Sequence, residues 1–197
     1  NGIYVGCLYA PTAAFAELWG PSYLTHVYNL TPETAASAIS MIFIGWAISG
    51  PIVGWISDKI KRRKPIMLIS AFLSFIFMLS VLYTPNLSLG SIVILLFLFG
   101  ASNVGVATAY TVASEIVSDS ISATSMSFAN MMSVLVGALF QPLIGALLQL
   151  NHGKIIDGVP TYSAHAYKYA MLSLPLCIFI SLMSGSFMTW KTTQMNS

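Results

Sequence analysis

Gly54-Trp55-Ile56-Ser57-Asp58-Lys59-Ile60-Lys61-Arg62-Arg63-Lys64-Pro65 is the stretch from which the fold can be read. It holds five of the chain's eight Lys and Arg residues within six positions. In a soluble protein such a run is a solvated loop or a nucleic-acid patch. Here the flanks decide against that reading. On each side lies an apolar run of roughly 20 residues, the length that crosses a bilayer. The stretch is therefore a tight turn between two membrane helices, held on the cytoplasmic face by its charge. No nucleic-acid partner follows from it.

Composition agrees. Only 7% of the 197 residues are charged, and 56% are hydrophobic. Soluble domains carry about 25% charged residues, so this chain lacks the polar surface to cover a globule. An all-α polytopic membrane protein is expected, with the lipid bilayer as its solvent. Cys7 and Cys177 both fall in apolar spans and read as free buried thiols. The chain starts at Asn1 with no charged region leading into a short apolar core, so no signal peptide is read. The start reads as a cut inside a longer protein.

Six spans are expected, at about 2–28, 35–57, 65–83, 91–118, 126–150 and 166–190. The first contains Pro11 and Pro21, each predicted to bend it. Its Gly2, Gly6, Ala10 and Ala14 form a small-residue stripe that lets another helix approach closely. Glu17 is placed on the face of Gly6, Ala10 and Ala13. Thr31, Pro32 and Glu33 have the chemistry of a helix start: an N-cap, a first-turn proline and an acid at the positive dipole end. The second span carries Gly45, Gly50 and Gly54, with a kink predicted at Pro51. The third has no charge and no amide, the composition of a helix facing lipid. The fourth puts Asn103, Tyr110 and Ser114 on one face and closes at Glu115, read as a boundary residue. The fifth puts Asn130, Val134, Gly137 and Gln141 on one face, with a kink predicted at Pro142.

Charge sets the topology. With the basic turn inside, six Lys and Arg residues lie inside and two, Lys154 and Lys168, outside. Both ends of the chain are then cytoplasmic. A repeat is also present. Pro51-Ile52-Val53-Gly54-Trp55-Ile56 matches Pro142-Leu143-Ile144-Gly145-Ala146-Leu147, each in the middle helix of a triplet. Three spans followed by three of opposite orientation make an inverted repeat.

Gly54, Asp58, Lys59, Arg62 and Arg63 together resemble the loop signature of the major facilitator superfamily. Lys61 departs from it, standing where that family usually has Gly. Gly137, Pro142 and Gly145 resemble the family's proline-glycine helix. The resemblance implies the C-terminal six-helix half of a twelve-helix facilitator. It also implies that the basic turn, with Asp58, latches the cytoplasmic side shut against the N-terminal half. The run Ala16 to Pro21 resembles the seventh helix of bacterial nutrient permeases of the phagosomal transporter type. A bacterial cytoplasmic (inner) membrane is the expected location.

No nucleotide-binding loop, HExxH or Gly-x-Ser-x-Gly occurs, so neither an enzyme nor an ATP-driven pump is read, and no cofactor or metal is implied. The expected function is alternating-access transport of a small polar solute, with the proton as the coupling partner. Spans one, two, four and five should line the cavity, with three and six outside against lipid. Glu17 is either the proton or substrate group, since an intramembrane acid is a functional candidate by default, or a member of the interfacial belt with Trp19. Asn103, Tyr110, Asn130 and Gln141 either face substrate or join helices by hydrogen bonds. Two other readings stay open: a self-associating six-span protein, and a membrane receptor that transports nothing.

Overall fold

The computed structural model describes residues 1–60, 62–151, 154–156 and 159–188; Lys61, His152 and everything from residue 189, Lys191 included, lie outside them. Six helical spans cross the molecule. The first is composite, running as Gly2–Pro11, a π-helical segment Thr12–Trp19, and Gly20–Tyr28. The second is Pro32–Ile60 and the third Arg63–Tyr83. The fourth is split into Leu89–Ser102 and Gly105–Glu115. The fifth is Ser122–Leu150, entered through a 3-10 turn at Asp119–Ile121. The sixth is split into Ala164–Met171 and Ser173–Phe187. The long loop before the sixth span carries a short antiparallel ribbon, Lys154–Ile156 against Val159–Thr161, which hydropathy alone does not reveal.

Local chemistry sets the links. Asn29 and Asn86 both take the left-handed conformation, with φ 54 in each case. Asparagine tolerates that region better than most residues because its short side chain bonds locally. Two residues later, Thr31 accepts from Thr34 N at 3.3 Å and Ser88 accepts from Ser91 N at 3.3 Å, each capping the next helix. The repeated Asn-Leu-Thr and Asn-Leu-Ser are thus one turn device used twice.

The spans differ in how they take up their prolines. Helix continues through both Pro51 and Pro142. Span one does deform between Pro11 and Pro21, but as a run of wide π turns. Span four breaks at Asn103 and Val104 with no proline present. Span six breaks at Leu172, where Pro175 cannot donate to the Met171 carbonyl.

Packing follows an internal symmetry. Span one lies on five as four lies on two; one lies on six as four lies on three; three meets six directly. Exchanging one with four, two with five and three with six maps these pairings onto themselves, the inverted repeat expected from sequence. Small residues make the crossings. A Cβ on Gly6 would stand 2.7 Å from Val136 Cγ2, and one on Gly100 would strike the Ile42 backbone. The stripe read in span one is therefore its seam with span five. Buried tyrosines clasp the core: Tyr4 OH donates to the Met67 carbonyl at 2.7 Å, and Tyr23 OH to that of Leu82 at 2.5 Å.

Candidate functional site

The basic turn closes into a defined ion cluster. Arg63, the first residue of span three, reaches back to span two and across to span four. Its Nη1 donates to Asp58 Oδ1 at 2.7 Å and to Ser57 Oγ at 2.6 Å. Its Nη2 donates to Glu115 Oε1 at 2.8 Å, and Nε to Glu115 Oε2 at 3.4 Å. The guanidinium presents donors in a planar fork, so one residue serves two carboxylates at once. Its side chain is 13% exposed, against 73% for Asp58. Asp58 therefore keeps an outward-facing oxygen. Among the turn's described cations, Arg63 is the one that pairs with Asp58. Lys59 instead lies over the Trp55 ring, 4.8 Å from its centroid. Arg62 sits at the N-cap of span three, in extended conformation. Lys64 donates at 2.7 Å to the carbonyls of Ser186 and Met188, neutralising the negative end of span six.

Glu115 is more than the boundary residue expected from sequence, because it ties span four to this cluster. Sequence places it at a helix end, but only the fold brings it beside Arg63, 52 positions away. A cleft of about 100 Å³ opens next to the cluster, between Gly50, Gly54 and Ser57 of span two and Val104, Ala107 and Thr111 of span four. A Cβ on Gly54 would meet nothing within 4 Å. Packing inside this bundle gives no reason for a glycine there.

The polar residues of the spans assemble along span five. Ser133, Gly137 and Gln141 recur every four residues, on one helical face. At the first step Tyr110 of span four bonds Ser133 Oγ at 2.8 Å and donates to Asn130 Oδ1 at 3.3 Å. At the second, Gly137 takes the Ala13 methyl and the Tyr9 ring of span one. At the third, Gln141 Nε2 donates to the Ala13 carbonyl at 3.1 Å, and Trp19 Nε1 donates to the Gln141 carbonyl at 3.0 Å. Tyr9 is the hub: its hydroxyl donates to Glu17 Oε1 at 3.0 Å, and its ring packs edge-on to Trp46 of span two at 6.3 Å. Spans one, two, four and five thus share this polar strip.

Two placements need correction. Glu17 is not on the buried face with Gly6, Ala10 and Ala13. Its i→i+5 bonds widen the π segment, and the added residue per turn rolls Glu17 onto the exposed side, while Ala13 to Ala16 stay buried. Asn103 is not in the strip. It is 0% exposed at the break of span four, where Nδ2 donates to the Leu8 carbonyl at 3.0 Å and Oδ1 accepts from Thr12 at 3.4 Å. It joins span four to span one. Tyr9, Trp46 and Ser133 were missed, because an α-helical wheel pairs residues three or four apart and Tyr9 meets Glu17 across eight. Trp46 Nε1 is buried and has no hydrogen-bond partner among the described residues.

This geometry has relatives. Residues 2–187 match the description of the Major Facilitator Superfamily. The chain is 28% identical over 173 residues to the inner membrane metabolite transport protein YhjE of Escherichia coli (strain K12), covering 78% of this chain and 38% of that protein. Its fold matches the inward-open xylose transporter XylE of E. coli with a TM-score of 0.73 at 16% identity, covering 95% of this chain and 47% of that one. The partially occluded inward-open form of XylE matches with a TM-score of 0.70 at the same identity. The chain thus spans less than half the length of the proteins it matches. Its signature turn, its inverted pairing of spans and these matches agree: the chain belongs to the Major Facilitator Superfamily.

Proposed function

We propose that this chain is the C-terminal six-span half of a proton-coupled secondary transporter, which moves a small polar solute across a bacterial inner membrane by alternating access. The observation that carries the reading is the strip centred on Tyr9. One carboxylate, four aromatic side chains, two amides and a serine hydroxyl meet where four spans converge, on a side of the bundle that this half leaves uncovered. Trp46 Nε1 fits the same reading: an unmade buried hydrogen bond costs about 1–3 kcal/mol, and a solute oxygen would remove that cost. The xylose carried by the structural relative is not transferred, since 16% identity speaks for the fold alone.

In this proposal the N-terminal half supplies the opposite wall, and Glu17 binds the coupling proton. A carboxylate suits that role because desolvation favours its neutral form and hydration its charged form, and alternating access switches between the two surroundings. The Asp58–Arg63–Glu115 cluster holds the cytoplasmic side closed. The open cleft beside Gly54 receives a helix of the other half there. Both ends of the chain face the cytoplasm.

The test is reconstitution of the full-length protein in proteoliposomes. A thermal-shift panel of polar solutes selects a ligand, and its uptake is followed under an imposed pH gradient. Accumulation that a protonophore collapses supports the proposal. Binding without any accumulation would favour a receptor and overturn it.

A further inference from the structure

Cys7 and Cys177 are the chain's two cysteines, one near each end of the sequence, and both are free thiols. The fold brings them together. Span one and span six run antiparallel, and both cysteines lie on the faces that the two spans turn to each other. The register of the seam fixes this meeting. Ser181 Oγ donates to the Tyr4 carbonyl at 2.9 Å, fully buried. Moving three residues along span one and four back along span six, about one turn on each, leads from that bond to the two thiols. Small residues keep the helices close, since a Cβ on Gly185 would stand 3.2 Å from the Tyr4 ring. Cys177 is 1% exposed and Cys7 half-buried.

We propose that Cys7 and Cys177 are a disulfide modification site, oxidised by a peroxide to a covalent bond between span one and span six. A disulfide needs its two Cα atoms about 4.4–6.8 Å apart, a spacing reached where small residues hold two helices close. The step balances. Each sulfur gives up its hydrogen and contributes one electron to the new S–S bond. The two protons and two electrons released convert one hydrogen peroxide to two water molecules. Cys7 stands five residues before the π segment begins, so the bond pins the base of the segment that carries Glu17. That consequence rests on the reading of span one as a moving helix of a transporter. The bond itself does not.

The experiment uses the full-length protein in membranes, with every cysteine other than these two replaced by serine. Samples with and without hydrogen peroxide are denatured and labelled with a polyethylene-glycol maleimide. Two labels are expected before oxidation, none after it, and two again after dithiothreitol. The Cys177→Ser variant is expected to keep one label throughout. In parallel, uptake of the solute found above should fall several-fold on oxidation, recover with dithiothreitol, and be insensitive to peroxide in Cys177→Ser. Labelling unchanged by peroxide would overturn the site. Loss of labels with uptake unchanged would overturn its effect on transport. If the transporter reading fails, the labelling result still stands by itself.

Discussion

Arg63 links spans two, three and four at one end of the bundle, and it shows what a single residue contributes here. Its partners are partly or largely exposed, with side-chain exposures of 73% for Asp58 and 38% for Glu115. Exposed pairs of that kind contribute only about 0.2–1 kcal/mol to stability. The cluster is therefore weak as a fastener of this half and better suited to a contact made and broken during a cycle. Asp58→Asn should leave expression and thermal unfolding nearly unchanged, while transport drops about tenfold, a barrier change of roughly 1.4 kcal/mol. Glu115→Gln should act in the same direction. Unaltered transport in both variants, measured beside their melting curves, would reduce the cluster to a marker of topology. Asn103 should show the converse. It is fully buried with both polar ends occupied, so Asn103→Ala strands the Leu8 carbonyl at a cost of about 1–3 kcal/mol. A lowered melting temperature with transport per folded molecule retained is the expected result.

At the scale of elements, the crossings depend on glycine and the bends on hydrogen-bond accounting. Gly100 meets the backbone of Ile42 directly. Gly100→Ala should separate spans two and four and lower stability by about 1–3 kcal/mol or more, read as loss of detergent-stable protein by size exclusion. Normal yield and melting would show that the crossing adjusts freely. The start of span two was legible, because Thr31 caps it and Pro32 opens its first turn. The π segment was not. It depends on Pro11 and Pro21 together with span five, whose Gln141 bonds the Ala13 carbonyl. A wheel drawn at 3.6 residues per turn cannot anticipate it, and this is why Glu17 was assigned to the wrong face. The break at Asn103 was hidden for a similar reason: its amide serves span one, not its own helix. Of the face read as Asn130, Val134, Gly137 and Gln141, Gly137 and Gln141 meet span one, while Val134 is 57% exposed.

At the scale of the whole molecule, the distribution of covered surface bears on the proposed second half. Spans two and five are the least covered, with 17% and 22% of their apolar windows buried, against 39% to 61% in spans three, four and six. Apolar composition had suggested that spans three and six stand outermost. They pack on each other, with Phe75 and Phe179 rings 6.0 Å apart, and form the closed back of the bundle. The uncovered ridges of two and five flank the polar strip, as expected of a seat for a second half. Orientation is checked by cysteine labelling in intact cells. A probe at position 154 should label from outside and one at position 61 should not; the reverse pattern would invert the topology. The most direct test of the account concerns the proton. Glu17→Gln keeps shape and can still accept from Tyr9, but it cannot ionise. Uptake driven by a pH gradient and solute exchange at equal pH share every step except proton movement. With the full-length protein in proteoliposomes, Glu17→Gln should abolish the first and preserve the second. Gradient-driven accumulation equal to that of the parent would contradict the account.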